Sequence, residues 1–364
     1  MDKNIIECPD NACMQEDMEE IARTFPFVDE LKNSTIAVTG STGLLGSQVV
    51  RALCAMNRIQ DAGIRILAQI RSREKAQRVF GSLLDRGDIR LVECEISDAQ
   101  SVVAAWADEA VDFIIHGAAP TGSRYFVEKP VETISAILGG TEIMLALARD
   151  RRVRSMVTLS SLEVYGTPFE GQEWMREQDF GALDPAQARS SYSEGKRMAE
   201  CLCTAYAAEY DVPVKMVRLS QTFGPGVEYS DGRVFMDFAR CALEGRDVIL
   251  HTPGRTVRTY LYTRDAVAAI LTVLARGEAG RAYNATNRDT AVSIYEMAEL
   301  VCRIIGNGRV KARIEIPADV ASFGYNPEMV IRLDPSALEA LGWKATVGLS
   351  DMFVRMCKNF ITIL

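Results

Sequence analysis

Short apolar segments alternate with longer segments of helical periodicity from residue 35 to residue 219. The predicted strands span 36–39, 64–70, 89–93, 111–116, 155–160 and 214–219, and the predicted helices span 44–56, 73–84, 99–107, 131–150 and 190–210. Strands that alternate with helices in this way form a parallel sheet with helices on both faces. The pattern therefore predicts an α/β fold built on a doubly wound parallel sheet.

Two regions depart from this alternation. Residues 1–33 form an acidic N-terminal extension whose few apolar residues recur at roughly helical spacing. Further along, the alternation weakens and turn-forming residues punctuate the sequence. We expect residues 34–222 to form a large domain to which residues 259–290 return. Residues 223–258 and 291–364 are then expected to form a smaller C-terminal lobe.

Charge and histidine content exclude some classes of site. The net charge is −8, and the basic residues form no cluster beyond Arg149–Arg154. Because nucleic-acid surfaces need a basic footprint, we expect no nucleic-acid partner. The only two histidines, His116 and His251, are too few for a histidine-built zinc site or a Ser-His-Asp triad. We expect no metal and a structural role for His116.

Cysteines and apolar runs point to an ordinary soluble protein. The chain has nine cysteines, an odd number, and no CxxC pair. We therefore expect buried thiols rather than disulfides or metal ligands. No run approaches the ~18 consecutive apolar residues of a membrane helix, and the start of the chain carries no readable secretory signal. We therefore expect a cytoplasmic protein without a membrane partner.

A glycine-rich turn, residues 39–46, follows the first predicted strand directly and opens the first helix of the sheet. In this context the glycines permit a tight turn and a close approach of a pyrophosphate, which the helix N-terminus attracts. The cofactor-binding candidates of the turn are Gly40, Thr42, Gly43, Leu44, Leu45 and Gly46. The large domain is thus predicted to be a Rossmann-type dinucleotide-binding domain, with the smaller lobe binding substrate.

Tyr192 and Lys196 stand four residues apart on one predicted helix face. A tyrosine with an unperturbed pKa near ~10 can take a proton from a hydroxyl only where a nearby cation stabilises its phenolate. Lys196 is placed to supply that cation. The pair is therefore a candidate catalytic acid/base, and both residues also count among the cofactor-binding candidates.

The spacing GxxGxxG and the order Ser161, Tyr192, Lys196 resemble the short-chain dehydrogenase/reductase superfamily in its extended form, the NAD-dependent epimerases and dehydratases. Residues 189–200 are similar to the corresponding helix of the UDP-glucuronate decarboxylases. Further matching segments fall in the family's order from about Thr35 to Trp343. The resemblance implies that Ser161 holds the substrate hydroxyl and that Glu163 is an acid/base or orders the water around the sugar.

The resemblance also implies the remaining cofactor contacts. Glu95 and Ile96 are similar to the segment that lines the adenine, and Ala118 to the strand end beside the nicotinamide ribose. The second strand ends in Ile70, where NAD enzymes carry an acid, and Arg71 follows. A guanidinium there can pair with a ribose 2′-phosphate, so the cofactor is NAD or NADP.

In the family resembled, the dinucleotide oxidises C4 of a nucleotide sugar. A C6 carboxylate can then leave as carbon dioxide, whereas other members epimerise C4 or lose water across C5 and C6. Leu162 has no proton to give to a leaving hydroxyl, which disfavours the 4,6-dehydratase reaction, although decarboxylases usually carry a small hydroxyl residue there. The leading prediction is a UDP-glucuronate decarboxylase-like enzyme. A 4-epimerase and a non-catalytic dinucleotide-binding regulator remain as alternatives.

Substrate contacts and assembly follow from the same resemblance. The substrate-binding candidates are Tyr125, Gln221, Arg233 and Arg258, the two arginines for the nucleotide diphosphate. Arg332 resembles a family arginine that reaches the sugar or its carboxylate. Extended members usually dimerise through the helix that bears Tyr192 and the preceding long helix, so we expect a homodimer.

Overall fold

The computed structural model describes residues 5–107, 109–172, 174–318 and 328–361. Its strands are β1 Thr35–Thr39, β2 Arg65–Ile70, β3 Ile89–Glu93, β4 Phe113–His116, β5 Ser155–Ser161, β6 Val214–Leu219, β7 Gln221–Phe223, β8 Val248–Leu250, β9 Val257–Tyr262, β10 Ala282–Ala285, β11 Asn287–Ser293, β12 Ala312–Ile314 and β13 Val330–Ile331. Its α-helices are α1 Ala12–Thr24, α2 Val28–Leu31, α3 Leu44–Gln60, α4 Arg73–Phe80, α5 Ala99–Ala105, α6 Ser123–Glu128, α7 Pro130–Arg151, α8 Ser191–Tyr210, α9 Val234–Leu243, α10 Thr263–Arg276, α11 Ile294–Ile304, α12 Ser336–Glu339 and α13 Leu349–Ile361.

A seven-stranded parallel sheet in the order β10-β6-β5-β4-β1-β2-β3 forms the large domain. Alternate residues of β1 enter different cores: Ile36 and Val38 pack with α3 and α10, and Ala37 packs with α7 and α8. Both faces of the sheet are therefore covered, which explains why β1 is buried along its whole length. The predicted α/β fold with a doubly wound parallel sheet is confirmed.

The smaller lobe has its own sheet and core. Strand β9 pairs with β7, β11 and β13, and β8 pairs with β12. Helices α9, α11 and α13 pack with these strands around the stacked rings of Phe223 and Phe235. The boundaries differ from the predicted ones, because residues 221–222 and 259–262 belong to this second sheet. Of the segment 259–290, α10 and β10 return to the large sheet.

Helix α7 is the one helix within the described ranges that is long and apolar enough, by length and composition, to cross a membrane. Core helices of soluble proteins meet the same criterion, and α7 packs along α8. Its outward side nevertheless keeps apolar residues exposed, Val131 and Ile134 among them.

The N-terminal extension is built into the molecule through buried charges. Glu7 is fully buried, and its carboxylate accepts hydrogen bonds from Arg58 (2.7 and 3.0 Å) and Arg86 (3.4 Å). Asp17 of α1 is also fully buried and accepts from the Tyr262 hydroxyl (2.5 Å) and from Arg355 (3.0 Å). The extension therefore contacts α3 on one side and β9 with α13 on the other.

The nine cysteines are all free thiols, and Cys201 of α8 is the exposed one. The other eight are buried, as expected for small apolar side chains. Burial raises the pKa of each of these eight thiols.

We predict that Glu7→Ala lowers the free energy of unfolding by about 3 kcal/mol, because it leaves the Arg58 and Arg86 guanidinium groups without their buried partner. Urea denaturation followed by circular dichroism measures this. Glu16→Ala is the matched control: the Glu16 side chain is 61% exposed and pairs with Arg355 at the surface, so its loss costs less than about 1 kcal/mol. Equal effects of the two variants would contradict a structural role for the buried carboxylate.

Candidate active site

The glycine-rich turn after β1 is packed too closely for side chains. Gly40 has a φ of 66°, and a Cβ on it would lie 2.9 Å from the backbone nitrogen of Ala118. A Cβ on Gly43 would lie 3.2 Å from the carbonyl oxygen of Gly40, and one on Gly46 would overlap that same oxygen. The three glycines therefore let the turn fold back against β4 and let α3 begin close to the sheet.

The start of α3 fits the pyrophosphate of a dinucleotide. The helix begins at Leu44 after the N-cap residue Gly43, which has no side chain to cap the first N–H groups. Thr42, Leu44 and Leu45 are half-buried around this end, and Gly43 is exposed. Free N–H groups and the positive end of the helix dipole are what an anion requires. The predicted residues of the turn thus form one cradle.

Gln69 braces this turn, and sequence reasoning missed it. Its side chain accepts a hydrogen bond from the Gly40 nitrogen (3.0 Å) and donates one to the carbonyl oxygen of Cys94 (2.8 Å). Its own carbonyl oxygen accepts from the Ser41 hydroxyl (2.6 Å). Gln69 thereby joins the turn to the ends of β2 and β3. A buried glutamine inside an apolar strand is the signal that could have found it.

The predicted adenosine contacts lie at the carboxyl ends of β2 and β3. The Arg71 and Glu95 side chains are 76% and 50% exposed, and their charged groups face each other at 3.9 Å. Ile96 is buried, and a Cβ on Gly140 of α7 would lie 3.2 Å from its side chain. Ile70, the residue in place of an acid, is buried as well. Arg71 and Glu95 are thus the polar groups brought together at this edge.

His116 is a structural residue of the turn. It is buried at the end of β4, and its Nδ1 lies 2.8 Å from the Thr39 hydroxyl. That hydroxyl accepts from the backbone nitrogens of Gly117 (3.2 Å) and Ala118 (3.3 Å). Burial, aided by the nearby Lys196 charge, lowers the pKa of His116 to about 3. A histidine kept neutral in this way orients the backbone around Ala118.

Ser161, Tyr192 and Lys196 meet where β5 ends against α8. The Ser161 side chain lies near the Tyr192 hydroxyl and lowers the pKa of Tyr192. The Lys196 Nζ lies 6.0 Å from the centroid of the Tyr192 ring and donates to the carbonyl oxygen of Leu159 (2.7 Å). Tyr192 and Lys196 are 8% and 7% exposed, so both groups are largely shielded from water. The structure thus brings the predicted triad together.

The pKa values of Tyr192 and Lys196 differ from those expected if Lys196 simply stabilised the Tyr192 phenolate. Burial and, to a smaller extent, the Glu163 carboxylate raise the pKa of Tyr192 to about 12, against the lowering effects of Ser161 and Arg189. Burial lowers the pKa of Lys196 to about 8, although the Glu200 carboxylate opposes this. Lys196 is not among the groups that shift the pKa of Tyr192, so the predicted help of its charge to the phenolate is not seen in this arrangement.

Glu163 lies beside the triad, in the turn Leu162–Tyr165 that follows β5. One carboxylate oxygen accepts from Arg189 (3.0 Å) and the other from the Ser193 hydroxyl (3.1 Å). The side chain is 20% exposed. These contacts fix the carboxylate near Tyr192, and its predicted acid/base role stays a prediction.

Phe126 of α6 is a site residue that the sequence did not reveal. Its ring stacks on the ring of Tyr192, with centroids 4.2 Å apart and an interplanar angle of 11°. It is 2% exposed, whereas its neighbour Tyr125, a predicted substrate contact, is 41% exposed. No spacing rule links these two segments of the chain, so only the fold brings Phe126 to Tyr192.

The other predicted substrate residues lie on the smaller lobe. Gln221 of β7 pairs in register with Tyr260 of β9 and is half-buried. The Arg258 side chain has a buried Nε without a hydrogen-bond partner among the described residues. Arg233 differs, because its guanidinium is bound by Asp231 (2.6 Å). Of the two arginines predicted to hold a diphosphate, Arg258 is therefore the less engaged.

Arg332 follows β13, and its Nε is likewise buried without a partner in the described ranges. Its guanidinium carbon lies 5.9 Å from the centroid of the Trp174 ring. Strand β13 runs beside β9, so Arg332 and Arg258 come from adjacent strands. In this register Ile331 is the residue opposite Arg258, and the unpaired Nε of each arginine can donate separately to an anionic ligand.

Comparison with known proteins gives the family. Residues 36–286 match the NAD dependent epimerase/dehydratase family, which covers more than half of the chain. The chain belongs to the NAD dependent epimerase/dehydratase family. The predictions of an enzyme of this class and of a nicotinamide dinucleotide cofactor are thereby confirmed at the level of the family.

Several relatives of this epimerase/dehydratase family member span nearly the whole chain. It is 28% identical to UDP-glucuronic acid decarboxylase 6 of Arabidopsis thaliana, over 90% of this chain and 89% of the relative. It is 24% identical to the human dTDP-D-glucose 4,6-dehydratase, over 86% of this chain and 85% of the relative. The UDP-glucose 4-epimerase of Thermotoga maritima, solved with UDP-glucose, has a TM-score of 0.75 at 19% identity, covering 90% of this chain and 99% of that one. These relatives share nucleotide sugars as the compounds in their names.

We predict that Gly46→Ala weakens binding of NAD at least about tenfold, because the added methyl group overlaps the Gly40 carbonyl oxygen and displaces the turn. Isothermal titration calorimetry measures the dissociation constant. The control is Gly139→Ala on α7, where no heavy atom outside the helix lies within 4 Å and alanine suits the helix. If both variants bind NAD as tightly as the parent chain, the cradle is not the cofactor site.

Proposed function

We propose that this protein is a nucleotide-sugar decarboxylase that works through a 4-keto sugar, as the UDP-glucuronate decarboxylases do. The observation that carries the proposal is the meeting of Ser161, Tyr192 and Lys196 beside the glycine cradle. The 28% identity to a UDP-glucuronic acid decarboxylase over 90% of the chain supports it. A non-catalytic dinucleotide-binding regulator has no use for these three groups in one place.

The first step is the oxidation of the sugar at C4. The glycine-rich turn 40–46 would hold an oxidised dinucleotide, which would supply the hydride acceptor for C4 and a positive charge near the reacting groups. Ser161 holds the C4 hydroxyl, and Tyr192 takes its proton as the C–H bond breaks. Tyr192 needs this added positive charge, together with Lys196, because burial and the Glu163 carboxylate hold its pKa at about 12.

The second step needs little from the protein. Once C4 is a carbonyl, a sugar with a C6 carboxylate is a β-keto acid. The bond between C5 and C6 then breaks as carbon dioxide leaves. The electron pair moves into the C4 carbonyl, and a proton then returns to C5. Glu163, held by Arg189 and Ser193, is the ionisable group beside Tyr192 that can order a water for this proton transfer. Tyr192 returns its proton to the oxygen on C4, where the reduced dinucleotide would return the hydride to the C4 carbon, and this completes the cycle.

Arg258 is the group we assign to the anionic part of the substrate. Its buried Nε is unpaired within the described residues, and its charge lowers the pKa of the neighbouring Tyr260 against the effect of burial. A guanidinium can bind two phosphate oxygens at once. We also propose NAD as the cofactor, because the family is NAD dependent and the exposed Arg71 faces Glu95.

Leu162 separates the candidate reactions. Its side chain is 6% exposed and packs with Met175, Ile331 and Leu333 in an apolar cluster. It has no proton to give to a leaving C6 hydroxyl, which disfavours dehydration. A 4-epimerase, the second candidate, uses Ser161, Tyr192 and Lys196 without any chemistry at C6, so Leu162 is compatible with it.

The test incubates the purified protein with UDP-glucuronate and NAD, and separately with NADP, and follows the nucleotide sugar by mass spectrometry. We expect the loss of one carbon dioxide with NAD. Conversion of UDP-glucuronate to an isomer of equal mass supports the 4-epimerase instead. Unchanged UDP-glucuronate rejects the decarboxylase, and the search then moves to other nucleotide hexoses.

In this assay we predict that Tyr192→Phe lowers kcat at least about 100-fold, because it removes the acid/base group and keeps the packing of the ring. Binding of NAD, measured by calorimetry, stays within about twofold. Tyr210→Phe at the far end of α8, where Tyr210 is 43% exposed, is the control and keeps full activity. A fully active Tyr192→Phe variant would rule out the assigned base.

We also propose a homodimer through α7 and α8. These helices pack lengthwise on each other, and their outer sides expose Val131, Ile134 and Met198. Exposed apolar side chains on two helices that pack together suit a partner of the same kind, and two-fold dimers are the commonest oligomers.

We predict a dimeric mass in light scattering for the parent chain and a monomeric mass for Ile134→Glu and Met198→Glu, because a buried glutamate at an apolar interface is costly. The control is Val103→Glu on α5, where Val103 is 68% exposed outside this surface. A monomeric parent chain at micromolar concentration contradicts the dimer.

A further inference from the structure

Helix α6 places two neighbouring aromatic side chains in different surroundings. Tyr125 is 41% exposed, and Phe126 is 2% exposed against Tyr192. The Ser191 hydroxyl donates to the carbonyl oxygen of Phe126 (3.1 Å), which ties α6 to the first residue of α8. This short helix therefore connects an open surface at Tyr125 with the base itself.

Phe126 also contacts the charged groups around Tyr192. The guanidinium carbon of Arg189 lies 5.3 Å from the centroid of the Phe126 ring. The same guanidinium donates to Glu163 (3.0 Å). The charged groups that face Tyr192 are Glu163 from the turn after β5, Arg189 from the turn before α8, and Lys196 from α8 itself.

Two physical consequences follow from this packing. A ring stacked at 4.2 Å and 11° blocks movement of the whole Tyr192 ring toward Phe126, so the hydroxyl keeps its position near Ser161. The same ring keeps water from one face of Tyr192, which leaves the neighbouring charges poorly screened. Removing Phe126 should therefore affect the orientation of the base and its exposure to water together.

We propose that Phe126 is a positioning residue for Tyr192, and that its neighbour Tyr125 on α6 contacts the substrate. The role of Tyr125 rests on the proposed function, since it is the predicted substrate contact. The contact between Phe126 and Tyr192 does not depend on which sugar is bound. Helix α6 thus carries Tyr125, which contacts the substrate, and Phe126, which positions the Tyr192 ring.

Steady-state kinetics on the converted nucleotide sugar separates the two roles. Phe126→Leu lowers kcat about tenfold and leaves KM within about twofold, because it affects alignment. Phe126→Tyr keeps the ring and restores most of kcat.

Tyr125→Ala raises KM at least about fivefold with kcat retained. Val127→Ala, a change at a 55% exposed residue of α6, leaves both values unchanged. Equal losses in Phe126→Leu and Phe126→Tyr would overturn the positioning role.

A second measurement needs no substrate. The ¹³Cζ resonance of labelled tyrosine, assigned to Tyr192 by its absence in Tyr192→Phe, reports ionisation in the free protein. Phe126→Leu admits water and lowers the pKa of Tyr192, which gives about tenfold more phenolate at a given pH. Arg189→Met removes a positive charge and frees the Glu163 carboxylate, so it gives less phenolate. General loosening of the fold would increase phenolate in both variants.

The two measurements distinguish a failure of the proposed function from a failure of the positioning role. If the protein converts no nucleotide sugar, the proposed function fails, and the opposite changes in ionisation still support Phe126 as a positioning residue. If ionisation of Tyr192 in Phe126→Leu equals that in Val127→Ala, the positioning role is wrong even in an active enzyme. A thermal melt of each variant verifies that the chains compared are folded.

Discussion

The buried ammonium group of Lys196 is the constraint on which the site depends. A buried charge needs a partner, and the Lys196 ammonium group donates to the Leu159 carbonyl oxygen at 2.7 Å, while the Glu200 carboxylate one turn later acts on it electrostatically. Glu200 in turn accepts from Arg218 of β6 (2.6 Å) and from the Ser160 hydroxyl (2.5 Å). This chain of contacts locks α8 to β5 and β6, which leaves Ser161 and Tyr192 one relative position.

A second set of buried charges connects the extension to the smaller lobe. Burial raises the pKa of Asp17 to about 6, and the hydrogen bond from Tyr262 opposes this shift. Met14 of the same helix lies so close to Gly226 that a Cβ there would come within 2.6 Å of its terminal methyl group. The extension thus supports the loop after β7 as well as β9. Residues 5–31, predicted only as part of an N-terminal extension, connect the large domain with the smaller lobe.

The sequence predicted what lies within one continuous segment. The glycine spacing and the Tyr192–Lys196 pair follow local geometry, a tight turn and one helical turn, so their roles could be predicted before any fold was known. The stacking of Phe126 on Tyr192 joins distant segments of the chain, so no spacing pattern in the sequence predicts it. The end of β9 was assigned to the wrong sheet because an apolar strand does not tell which neighbours it pairs with. Arg233 was named for its charge, and Asp231, two residues earlier, was overlooked.

The distribution of thiols makes Cys201 a natural attachment point. Eight of the nine cysteines are buried, and burial raises the pKa of each, so they hold little reactive thiolate near neutral pH. A maleimide fluorophore should therefore label the unmodified chain at one position. That position lies on α8, the helix that carries Tyr192 and Lys196. A single dye there can follow, by its own emission, whether the outer side of the catalytic helix is open to solvent or covered.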